Sequence, residues 1–168
     1  MDNLQISEVK LTYKTKVKPS ERPKVLDSKT SYQILLRAFD TETIELCESM
    51  KLLLLNRADK VSGIMDVSNG GISGTITDVR MIMQCAILTG ASGIILCHNH
   101  PSGNLEPSAE DSAATYRIKK AYEVMNIQLL DHIIVTPESY FSFADGFKTR
   151  RGFEFDITAV KRLYSRYG

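Results

Sequence analysis

Two of the three histidines in this 168-residue chain, His98 and His100, stand two positions apart where the apolar run 94–97 ends. In extended backbone, side chains two apart project to the same side, so both imidazoles can converge on one point. The C-terminal edge of a strand is also where α/β sheets commonly place their sites. Imidazole suits zinc and similar ions, and a catalytic zinc takes three protein ligands plus water. The third ligand must then come from the next element. Asp111, in the first turn of the helix expected after the loop, is the best candidate. The same residues, Ser108-Ala-Glu-Asp111, also read as a capping box, and spacing does not decide whether Asp111 caps, ligates or does both. Cys97 should point to the opposite face of the strand and belong to the core. His132, within the apolar stretch 129–135, reads as a core histidine or one that supports a ligand, rather than as a ligand itself.

The elements that must position this group follow from periodicity. Ser28 reads as the N-cap of a helix whose stripe of Tyr32, Ile34, Leu35, Leu36 and Phe39 reaches Asp40, with 41–47 extending or following it. Residues 50–55, closed by Asn-Arg-Ala-Asp, read as a buried strand, and 60–67 as its hairpin partner ending at Asn69-Gly70-Gly71. Thr77 or Asp78 caps a helix with Val79, Ile82, Met83, Ala86 and Ile87 on its apolar face, stopped by Gly90. Residues 93–97 form a second buried strand. The stretch 98–107, with two Pro, one Gly and two Asn, is a loop, and 108–126 is an amphipathic helix. Residues 127–135 and 140–143 return to strand, while Val9, Leu11 and Tyr13 alternate as an edge strand ahead of a break at 18–23. Helices interleaved with apolar strands indicate an α/β fold, a sheet sandwiched by helices and made mixed by its hairpin.

Composition bounds the function classes. Hydrophobic residues make up 43% and charged residues 24%, which suits one domain with a real core. Lys and Arg number 21 against 20 Asp and Glu, so there is no bulk attraction to nucleic acid or anionic lipid. Apolar runs such as 52–55 are far too short to span a bilayer, and the N-terminus shows no secretory signal. Three cysteines, never in a C-x-x-C pair, argue against a disulfide scaffold or a cysteine zinc ribbon. A cytoplasmic protein with no membrane partner is expected. Residues 1–25 carry six Lys or Arg against three carboxylates, and 148–168 carry six against two, so both ends are basic around an acidic body. The tail aromatics Phe153, Phe155, Tyr164 and Tyr167 suit either base stacking or, as expected here, packing of a final amphipathic helix over 157–167.

The full string is more specific than its parts. His98-Asn-His100-Pro101, followed by Ser108 and then Asp111, matches the JAMM (MPN+) metalloprotease motif. With Pro-Ser-Gly after the histidines, Pro107-Ser108, Thr115 and Asp131-His132-Ile-Ile, residues 28–147 resemble the bacterial RadC family, the so-called DNA repair proteins RadC. Basic segments, 1–27 and 148–168, flank that domain. The resemblance implies a JAB/MPN architecture similar to the cytidine deaminases, with Zn2+ held by His98, His100 and Asp111 and water in the fourth position. The motif's upstream glutamate falls on Glu48, just before a strand, with Glu42 and Glu45 as neighbouring competitors. It implies a zinc-dependent hydrolase of a peptide or isopeptide-like bond in a peptide or protein substrate. Glu48 would be the general base, and the Ser108 hydroxyl would help stabilise the oxyanion. Asp131 or a backbone carbonyl would orient a ligand histidine. The alternative is a metal-stabilised binding module of a DNA-processing complex. The contiguous tripeptide His98-Asn99-His100 is not the HNH nuclease motif, whose residues are separated. The family's helix-hairpin-helix region has no counterpart in the Lys/Pro-rich residues 1–27, so DNA or DNA-repair partners follow from the family label alone.

Overall fold

The sequence places runs of Leu and Ile where both faces of a strand must be covered, and the fold covers them with helices on either side. The computed structural model describes residues 10, 12–70, 78–146, 148–149 and 152–153. In chain order these form α1 (Ser28–Leu36), β1 (Ser49–Leu55), β2 (Val61–Asn69), α2 (Val79–Leu88), β3 (Gly93–Asn99) and α3 (Ala109–Glu123). There follow β4 (Gln128–Val135), β5 (Tyr140–Ser142), a short α4 (Phe143–Gly146) and the two-residue strands β6 (Lys148–Thr149) and β7 (Gly152–Phe153).

The main sheet has the order β2-β1-β3-β4-β5. Only the β3–β4 pair is parallel, with α3 as its crossover, and the other three pairings are antiparallel. The mixed sheet expected from the hairpin and the alternating helices is the one that forms. Alternation along β1 and β3 divides the core in two. Leu52, Leu54, Ile94 and Leu96 pack beneath α2 and α3 with Ile82, Ile118 and Tyr122. Leu53, Leu55, Ile95 and Cys97 pack on the other face with Leu35, Phe39 and Ile44. Each fully buried Leu or Ile contributes about 1.5–3 kcal/mol. Lys51 interrupts the β1 run. Its ammonium lies over the Phe39 ring, 4.9 Å from the centroid, and pairs with Asp66 on β2.

Local chemistry sets the boundaries. The β1–β2 turn is closed by Asn56, whose side chain accepts from the Ala58 and Lys60 amides, with Asp59 at φ 56°. Asp78 caps α2 through the Arg80 and Met81 amides, and Gly90 ends that segment at φ 61°. Other boundaries differ from expectation. The N-cap of α1 is Asp27, which accepts from the Thr30 amide at 2.7 Å, while the Ser28 hydroxyl lies 3.1 Å from that of Ser142. The helix stops at Leu36, and 37–47 form turns rather than further helix. β3 runs on through His98 and Asn99, because β4 continues beside it to Val135. Phe143 begins α4 instead of ending β5, since the Asp131 carboxylate draws in the Ala144 amide at 2.9 Å. Lys10, Thr12 and Tyr13 are not in a strand, and Val9, Leu11, Thr77 and the helix expected over 157–167 lie outside the described residues.

Candidate metal centre

β3 ends in alternation: His98 and His100 turn toward the α3 face, while Cys97 and Asn99 turn toward the α1 face. Cys97 accordingly sits in the core, fully buried, as its position implied. The loop after β3 folds back through a turn in which the Gly103 amide donates to the His100 carbonyl at 3.0 Å, with Gly103 at φ 77°. That return brings Ser108 to the start of α3.

Ser108 and Asp111 form a complete capping box. The Asp111 amide donates to Ser108 Oγ at 3.0 Å, and Asp111 Oδ2 accepts from the Ser108 amide at 2.8 Å. Ser108 Oγ in turn donates to Asp111 Oδ2 at 2.6 Å. The cap does not withdraw Asp111 from the histidines. Its Oδ1 lies 3.1 Å from His98 Nε2 and its Oδ2 lies 3.6 Å from His100 Nε2, and the two Nε2 atoms are 2.9 Å apart. Capping and converging on the histidines are thus compatible, which spacing left open. Among the described residues, His98, His100 and Asp111 are the group whose donor atoms converge closely enough to hold a metal ion.

Proton counting fixes how the histidines present themselves. The Thr115 hydroxyl donates its one proton to the Asp111 carbonyl at 2.5 Å, so toward His132 Nδ1, also at 2.5 Å, it accepts. Burial, and then the neighbouring His98, push the His132 imidazole well below its usual range, so this ring is neutral. With its proton on Nδ1, His132 Nε2 accepts from His98 Nδ1 at 2.8 Å. His98 therefore carries a proton on Nδ1, and it is Nε2 that faces the cluster. His100 Nδ1 donates to the Asn104 carbonyl at 2.6 Å, which likewise turns Nε2 inward.

Two imidazole nitrogens and a carboxylate this close repel one another unless a proton or a cation lies among them. Four donors around a zinc at its usual bond lengths sit roughly 3.3 Å apart, and the three distances here bracket that value. The donor set fits a divalent ion. The carboxylate and the imidazoles also bias one another: Asp111 raises His100 above its ordinary range, and, although burial opposes it, the closeness of His100 and His98 and the bond donated by Ser108 hold Asp111 far below the usual carboxylate range.

Glu48, in the stretch just ahead of β1, shares with Leu46, His100, Asn104, Pro107 and Ser108 the lining of a cleft of about 490 Å³. Glu42 and Glu45 are exposed on the preceding turn. Asp131 is not placed against His98 or His100. Its carboxylate accepts from Ser142 Oγ, the Ala144 amide and the His132 amide, tying β4 to β5 and α4. Of the two orienting groups expected, the backbone carbonyl, that of Asn104, serves His100. His98 is held by His132, stacked on Phe143, and through it by Thr115, which sequence reasoning gave no role in the site. A Thr four residues after a helix-start Asp was the available signal.

Comparison with known proteins agrees with this geometry. A family model described as the RadC-like JAB domain matches residues 25–149. A UPF0758 protein of Flavobacterium johnsoniae is 47% identical over 98 residues, covering 58% of this chain and 43% of its own length. One from Porphyromonas gingivalis is 42% identical over 125 residues, covering 74% of this chain and 54% of its own. A third, from Clostridioides difficile, is 42% identical over 98 residues, 58% of this chain and 42% of its own. The chain thus spans about half the length of the curated relatives it matches. With the match running from before α1 to β6 and taking in the whole histidine–aspartate cluster, the chain belongs to the RadC-like JAB domain family.

Proposed function

We propose that this domain is a zinc-dependent hydrolase that cleaves a peptide or isopeptide-like amide bond. The observation that carries this reading is the meeting of two inward-facing imidazole nitrogens and a carboxylate at a cleft whose lining also includes Glu48. A zinc ion held by His98, His100 and Asp111 would supply Lewis acidity and acidify water to a pKa of roughly 7. The chain's own residues supply the remainder. Glu48 takes a proton from the attacking water as its oxygen bonds to the carbonyl carbon, then delivers that proton to the leaving nitrogen as the C–N bond breaks. The products are a carboxylate and an amine. Ser108 donates to the oxygen of the tetrahedral intermediate by exchanging its bond to Asp111 Oδ2 for one to the substrate. His132 and Thr115 keep the His98 lone pair turned inward throughout.

The substrate in this reading is a peptide or protein, with DNA-repair partners resting on the family label. A cytoplasmic location is supported by the free thiols of Cys47, Cys85 and Cys97. Among the described residues no helix is long and apolar enough to cross a membrane. The test is amine release from a library of peptides and isopeptide-linked peptides. Turnover that a chelator abolishes and zinc restores is the expected result. A folded, zinc-loaded protein that cleaves nothing, or turnover indifferent to chelation, contradicts it.

A further inference from the structure

Between the two histidines, Asn99 is fully buried and points to the opposite face of the sheet. Its amide makes four hydrogen bonds. Nδ2 donates to the carbonyls of Ile44 at 2.6 Å and Cys47 at 2.8 Å, while Oδ1 accepts from the Ser49 amide at 2.8 Å and the Ser49 hydroxyl at 3.1 Å. Both donors and both lone pairs are used. The orientation is forced, because the two carbonyls can only accept and the Ser49 amide can only donate.

The residues gripped in this way bracket Glu48. The β1–β3 ladder ends at the pair Met50 and His98, and beyond it the Asn99 side chain replaces a backbone partner for Ser49. On the far side, the Gly70 amide donates to the Glu48 carbonyl at 2.9 Å. The Glu48 backbone is thus pinned between β2 and β3. The turn before it already closes on itself, with the Ile44 amide on the Asp40 carbonyl and the Cys47 amide on the Thr43 carbonyl. What Asn99 adds is the placement of that turn against the strand that carries His98 and His100.

We infer that Asn99 is a positioning residue, which holds Glu48 in register with the metal-binding histidines. This rests on the hydrolase reading above. A single strand end therefore sets both halves of the site, presenting ligands on one face and indexing the general base from the other. A misplacement on the order of 1 Å can cost about 100-fold in rate, so a clamp of this kind has a measurable consequence.

The test uses the full chain carrying Asn99→Ala, alone and combined with Glu48→Gln. Hydrogen exchange at the Ser49 amide should rise at least about tenfold, while Ile95 and Leu96 in β3 keep their protection. Zinc affinity should stay at the parent value, and kcat should fall roughly 10- to 100-fold with KM little changed. The double variant should be no slower than Glu48→Gln alone. Unchanged Ser49 protection in Asn99→Ala overturns the inference, as does a loss that adds in full to that of Glu48→Gln. If the parent turns over no substrate, the hydrolase reading fails, and the exchange result still decides whether the clamp exists. Should Asn99→Ala not fold, Ser49→Ala removes one of the four bonds. The same pattern at several-fold size then supports the clamp, and parent-level exchange refutes it.

Discussion

Replacing Thr115 by Val keeps the shape of a fully buried side chain and deletes one hydroxyl. In the structure that hydroxyl accepts the His132 Nδ1 proton, and the donor chain continues to His98 Nδ1. Without it His132 has two options. It can keep its proton on Nδ1, leaving a buried N–H unpaired at a cost of about 1–3 kcal/mol. Or it can move the proton to Nε2, facing His98, which obliges His98 to carry its own proton on the nitrogen that faces Asp111. Either outcome weakens the site without touching a ligand. Loss of such supporting bonds typically lowers metal affinity 10- to 100-fold, which is about 1.4–2.7 kcal/mol. Competition for zinc against a chromophoric chelator measures this directly, and denaturant unfolding of the metal-free proteins measures the stability term. Thr115→Ser keeps the hydroxyl and should restore zinc affinity to near the parent value, even if the lost methyl lowers stability. A Thr115→Val protein that folds and binds zinc as tightly as the parent would refute the proton-relay argument.

Two further outcomes follow from the same geometry. Ser108→Ala removes both the α3 cap and a bond to Asp111, so it should cost about 1 kcal/mol in denaturant unfolding of the metal-free protein, and it should also lower zinc affinity. Burial raises the Asp131 carboxyl above its ordinary value of 3.8, against the hydrogen bonds it accepts from Ala144, Ser142 and His132. The native state therefore holds that proton more tightly than the unfolded chain. The resulting stability is fully present below pH 3.8 and is lost as pH rises through the native pKa. Unfolding curves of the parent and Asp131→Asn should accordingly differ in slope over that window, the parent declining more steeply with rising pH. Parallel curves would show that Asp131 titrates normally.

What the sequence made legible was local. The two-residue spacing of His98 and His100, the capping-box spacing to Asp111, and the apolar runs of β1 and β3 each depend on one element's own periodicity, and each places its residues as expected. What it did not make legible was set by packing between elements. Thr115 and His132 meet only because α3 lies on β4, and nothing in a 17-residue separation announces that contact. Asn99 lay inside a stretch read as loop, where an Asn signals a turn. Its function as a clamp depends on a segment some 50 residues earlier. Asp131 beside His132 suggested a ligand-supporting carboxylate, yet strand alternation sends the two side chains to opposite faces. The boundary shifts at Ser28, Asn99 and Phe143 have the same origin, since each was moved by a partner distant in sequence.

The central claim is that this cluster holds a metal and that Glu48 handles the proton. Glu48→Gln preserves shape and removes the basic oxygen, so zinc stoichiometry and turnover should be measured on it beside His98→Ala. The account predicts one zinc per chain for Glu48→Gln with kcat lowered on the order of 100- to 10,000-fold, whereas His98→Ala loses zinc and turnover together. A Glu48→Gln protein that hydrolyses substrate as fast as the parent would contradict it.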